Sequence, residues 1–176
     1  MSCLATKGRE LPCKAAFGGI KSVLFCNFAD NITTTLEAST GIYTIVNGSP
    51  APVWLQYIVK GNSSLETTVT SSRENGTTFY TQTLNLTLTY LDALTIQQLQ
   101  LLALGRPRIV VEDYYGNNFL CGFENGMECT GGTVVTGAAA GDLSGFTMTF
   151  EGMEEEAPRF INATPTAAAS PIDPTA

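Results

Sequence analysis

The side chains that could do chemistry are few and poorly arranged for it. Glu151, Glu154, Glu155 and Glu156 could together offer oxygen ligands to a divalent cation, but the same run reads as a solvated acidic turn near the end of a domain. Glu112-Asp113 is an adjacent carboxylate pair in a strand–turn setting. General acid/base work needs two carboxylates in different environments, and spacing alone supplies none. Cys13 and Cys26 have no His or cationic partner that spacing alone assigns as an activator of a thiolate. Gly131–Gly141 (GGTVVTGAAAG) has spaced glycines without the Gly-Lys-Ser/Thr of a phosphate cradle, and it reads as a mobile loop. Trp54 and the tyrosines read as core or interface aromatics. The chain contains no His, which removes Ser/His/Asp and Cys/His catalysis and the near-neutral proton shuttle. The expectation is a non-enzyme with no catalytic residue, cofactor or metal.

Composition narrows the class further. The 176 residues suit one domain with at most a small appendage. Only 14% are charged, and Thr, Asn, Ser and 17 Gly fill the difference, so the surface is polar but sparsely charged. Net charge is −7, with the excess acid after residue 108. Such a chain is ill suited to gripping nucleic acid by its phosphates. Met1–Pro12 reads as no secretory signal, and no window approaches a membrane span. Five cysteines (Cys3, Cys13, Cys26, Cys121 and Cys129) read as reduced, mostly core residues, with a Cys3–Cys13 bridge left open. Asn-x-Ser/Thr triplets at Asn31, Asn62, Asn75, Asn85 and Asn162 read as chance.

The elements that must position these residues are mostly strands. Ser22–Phe28 is an almost wholly apolar run, as a strand covered on both faces requires. Gly41–Val46 and Val53–Lys60 flank the turn signal Asn47-Gly48-Ser49-Pro50. Ser64–Ser72 and Thr77–Tyr90 meet at Glu74-Asn75-Gly76, where Asn-Gly predicts a type I′ hairpin turn. Leu84, Leu86, Leu88 and Tyr90 alternate with Thr83, Asn85, Thr87 and Thr89, giving one apolar and one polar face. Asp92 caps a single helix over Ala93–Leu104, with Ile96, Leu99, Leu102 and Ala103 on its buried face and Gly105 and Pro107 after it. Further strands follow at Arg108–Tyr114, Phe119–Glu124, Met127–Thr130 and Phe146–Glu151, with Phe119, Cys121 and Phe123 inward in one, and Phe146, Met148 and Phe150 in another. The expected layout is one β-rich domain over 1–161, with 1–19 an extended arm and 162–176 a disordered Pro/Ala/Thr tail.

Two stretches carry a family resemblance. SSRENGTTFYTQTLNLTLTYLDALTIQQLQLLALGRPRIVVEDYYGNNFLCGFENGMECTGGTVVTGAAAGDLSGFTMTFEGMEEEAPRF (71–160) and GRELPCKAAFGGIKSVLFCNF (8–28) resemble virion structural proteins of tailed bacteriophages, most of all tail tube proteins. The resemblance implies a mainly β (α+β) fold, a hairpin-rich β-barrel or sandwich with one flanking helix. It further implies a homo-oligomeric, hexameric ring stacked into a hollow tube, made in the host cytoplasm and residing in the virion. DNA would pass through without specific binding, and sheath, baseplate or terminator proteins would be partners; no membrane is involved. Candidate inter-subunit contacts are Leu11, Pro12 and Phe17 in the arm and Arg73, Glu74, Asn75 and Gly76 at the hairpin tip. Competing expectations are a neck, tail-terminator or baseplate ring on the same fold, and a secreted β-sandwich binding module.

Overall fold

The computed structural model describes residues 8–10, 14, 17–59 and 62–167. Its strands fall into two sheets. The larger takes the order β2(Ile32–Glu37), β3(Ile42–Asn47), β11(Arg159–Ile161), β8(Asn118–Cys121), β7(Arg108–Asp113), β1(Ile20–Cys26) and β4(Trp54–Ile58). The smaller is β5(Ser64–Ser72), β6(Thr77–Thr89), β10(Gly145–Glu154) and β9(Glu128–Val135). Every pairing is antiparallel except β11 with β3. The fold is therefore mainly β and sandwich-like, and neither sheet closes into a barrel.

Strand β1 shows why its sequence is apolar at successive positions. Val23 and Phe25 face the smaller sheet, where they meet Leu84, Leu86, Phe146 and Phe150. Leu24 and Cys26 face the other way, into a second cluster with Trp54, Val110, Leu120 and Ile161. That second face is covered by the curl of the sheet itself, which brings Ile32 of one edge strand and Trp54 of the other into one cluster. A strand buried on both sides has no polar alternation to show. Strand β10 has a polar face and alternates cleanly: Phe146, Met148 and Phe150 are buried, while Thr147, Thr149 and Glu151 are half-buried on the outer face.

The helix α1(Ala93–Leu104) lies where the sequence places it. Asp92 accepts hydrogen bonds from the Leu94 and Thr95 N–H groups at 3.0 and 2.8 Å, satisfying two donors of the first turn. The helix rests against β9 and sends Leu99 and Leu102 into the inter-sheet core. Ala103, expected on the buried face, is exposed, because in the last turn Leu102 is the residue that turns into the core.

Several boundaries differ from expectation. Strands β2 and β11 carry no strong sequence signal: β2 is a Thr run with one buried residue, Ile32, and β11 is three residues long. Strand β9 runs to Val135, through glycines expected in a loop, because pairing with β10 supplies the order that those residues lack alone. Phe123 lies beyond the end of β8 and joins the outer cluster, not the inner one shared by Phe119 and Cys121. The expected loose tail is tied at its start: the Asn162 N–H donates to the Tyr43 carbonyl and the Thr164 hydroxyl to Asn118 Oδ1.

Candidate functional site

The carboxylates do not converge. Among the described residues, no three His, Cys, Asp or Glu side chains come together as metal ligands. Glu151 and Glu154 lie on opposite faces of β10, since residues three apart in a strand point apart. Glu154 is also not the solvated side chain expected. It is 4% exposed, and its carboxylate accepts the Glu124 and Asn125 N–H groups at 3.1 and 2.9 Å. It thereby pins the turn 122–126 over β10. Gly122 sits there at φ +63°, and a Cβ on it would come within 2.7 Å of Met127 Cγ. Gln82, buried beside this turn, accepts the Gly122 N–H at 3.0 Å and donates to the Glu156 carbonyl at 3.3 Å.

The thiols are quiet. Burial, helped by a hydrogen bond to Asp30, pushes the Cys26 thiol up to about 12. Burial likewise raises Cys121, and the nearby Glu154 charge adds to it. Neither is a nucleophile near neutral pH. Glu112 keeps its charge. Burial alone would raise its pKa, but hydrogen bonds from Lys21 Nζ (2.6 Å) and Ser22 Oγ (2.7 Å), with the Lys21 charge, hold it below the ordinary value.

One constellation escaped the sequence reading. Arg108 stacks on Phe28 and Phe123, Arg159 on Phe123 and Tyr43, and Arg106 on Phe28, with guanidinium-to-ring distances of 4.1–5.4 Å. Arg108 also donates to the Phe123 and Asp30 carbonyls, and Arg159 pairs with Glu124 and Glu156 while donating to Thr34 Oγ1. These donors are engaged within the chain, so the stack fastens strands together. Residues so far apart in sequence left no local signal.

The surfaces that stay open are sheet edges. Among the described residues, strand β5 pairs only with β6, and β9 only with β10. The partnership of β6 with β10 ends at Tyr80, whereas its pairing with β5 continues to Ser72–Thr77. Residues Thr70–Phe79 thus form a two-stranded ribbon beyond the sheet. At its tip Arg73, Glu74, Asn75 and Gly76 are all exposed. The turn is not type I′: Gly76 alone has positive φ (+63°), and four residues separate the last pair, so this is a longer loop ending in one left-handed residue. Among the described residues, neither Arg73 nor Glu74 makes an ion pair or hydrogen bond through its side chain. Phe17, 68% exposed, stacks edge-on against Tyr114 at 5.6 Å. Leu11 and Pro12 lie outside the described residues.

Beside β5 the sandwich is open. A groove of about 430 Å³ runs there, lined by Ile20, Leu65, Val111, Phe119, Pro158 and Phe160, with Asp113 and Thr67 among its polar atoms. Comparison with family models, with characterised proteins and with solved structures finds no match to this chain.

Proposed function

We propose that this chain is a structural subunit that assembles with copies of itself into rings, stacked as a phage tail tube. The observation that carries the reading is the ribbon Thr70–Phe79, which leaves its four-stranded sheet as an isolated pair of strands. Two strands alone are marginal in water and gain order by docking on something else. The outer edge of β5, unpaired among the described residues, adds to this, because an open edge is a template for another chain unless something covers it. Ring closure satisfies such edges without leaving a terminal one. A net charge of −7 suits a channel along which phosphates slide without being held.

In this reading the chain has no catalytic role, and its partners are its own copies and the proteins at the ends of the tube. Negative-stain microscopy of the purified protein tests it. Rings or tubes of uniform bore are expected, and a strict monomer at high concentration across several salts would overturn it.

A further inference from the structure

The two flanks of the sandwich are finished differently. At the β9 flank, α1 lies over the edge and fills the gap between the sheets with Leu99 and Leu102. At the β5 flank, among the described residues, nothing does so, and the apolar groove stays open beneath a free strand edge. We propose that this groove receives the N-terminal arm, residues 1–17, of a second copy of the chain, added as an extra strand on β5. The proposal rests on the ring reading for the presence of that copy and deepens it by naming where the copy attaches.

Five observations favour this occupant. The described arm residues Gly8, Arg9, Glu10, Lys14, Phe17 and Gly18 are all exposed and do not line the groove of their own chain, which the arm touches at its base through Gly19. A Cβ on Gly8 or Gly18 would meet nothing within 4 Å, so at those points the arm does not pack on its own body. Its sequence has the period of a half-buried strand: Leu11, Cys13, Ala15 and Phe17 alternate with Glu10, Pro12 and Lys14. An added strand would turn Leu11, Cys13 and Ala15 into the groove, with Phe17 held on Tyr114 of its own chain at the arm's base, and edge pairing would supply the backbone bonds that β5 lacks. Charge agrees as well. Residues 1–19 hold Lys7, Arg9 and Lys14 against Glu10, a net +2 in a chain of −7, so the remainder carries −9. The groove presents Asp113, and Glu155 and Glu156 precede its Ala157–Pro158 wall. Reach is ample: Ser63–Thr67 covers about 16 Å at ~3.3 Å per residue, and 17 extended residues span about 55 Å.

The test uses the full chain with Cys3→Ser and Cys129→Ser, and adds Thr67→Cys on the groove wall. Isotopically heavy and light copies are mixed, assembled and mildly oxidised, and the linked peptides are identified by mass spectrometry. The expected product joins Cys13 to the thiol introduced at position 67, with mixed heavy–light pairs. Leu11→Asp should lower the linked fraction by about tenfold or more, the effect of removing one buried leucine. Rings that form without this bond would overturn the docking site and leave the ring reading standing. A bond found only within single chains would also overturn it, because the arm would then cover its own groove. The mixed bond in a sample that gives dimers but no rings would uphold the groove and remove the tube.

Discussion

The α1 flank and the β5 flank of the sandwich solve one problem in opposite ways. Both are places where two sheets of unequal width leave an apolar gap. On one side the chain fills the gap itself, with a helix capped by Asp92 and anchored by Leu99 and Leu102. On the other side Leu65, Phe119 and Phe160 stay around an open groove, next to a strand with one edge unpaired among the described residues. Sandwich stability therefore depends on the first flank, while the second keeps an uncovered apolar lining, the place where we propose that a second copy docks. The lesson is that an uncovered edge gains meaning when the same fold shows how it covers the equivalent one.

The largest expected effect comes from breaking the closed flank. Leu99→Ala removes a 5%-exposed side chain from the inter-sheet core and should cost about 2–5 kcal/mol in urea unfolding. Leu65→Ala at the half-buried open flank should cost clearly less in the same assay. Equal losses would mean that the flanks do not differ.

Acid acts next, near the open flank. Glu112 neighbours the groove residues Val111 and Asp113, and its pKa is held below the ordinary value. A depressed carboxylate contributes stability above its unfolded pKa of about 4.3, and that stability is lost as pH falls through the lower folded value. Unfolding midpoints followed below pH 5 should show this loss, and Glu112→Gln should flatten it.

The link between the flanks can be sharpened by relief of strain. Tyr90 follows β6 just before α1 with φ +72°, is 61% exposed, and is the one described non-glycine residue in the left-handed region. Tyr90→Gly should stabilise the protein by about 1 kcal/mol, since the strained backbone outweighs the little packing lost. A thermal midpoint that falls would show that Tyr90 packs more than its exposure indicates.

Much of this architecture was legible in the residues. Helix α1 matches Ala93–Leu104 because its cap, length and stop signals are local. The hairpin strands β5 and β6 match because the alternation in Leu84–Leu88 is local too, although the loop joining them is not the type I′ turn that Asn-Gly predicts. Strand β11 was not legible: three residues carry no period, and it exists only where β8 and β3 leave a slot. Glu154 misled because a Glu run reads as surface, whereas two N–H groups from residues thirty positions away bury its carboxylate. The Arg108–Phe123–Arg159 stack was invisible for the same reason. The groove was invisible as well, since it is the space left between segments.

The smallest expected effect on folding is at the ribbon tip. Arg73→Ala with Glu74→Ala, keeping Asn75-Gly76, should change stability by under about 0.5 kcal/mol, because both side chains are exposed and unpaired among the described residues. The same pair should lower the yield of rings seen by microscopy. Normal rings would assign the tip to solvent.

Amide hydrogen exchange, comparing the assembled protein with the dissociated subunit, tests most directly the claim that the β5 flank is where copies meet. The Leu65–Val69 amides that do not bond to β6 should become protected on assembly, while Ala93–Leu104 exchanges equally in both states. Unchanged exchange in β5, or new protection confined to the helix, would contradict the account.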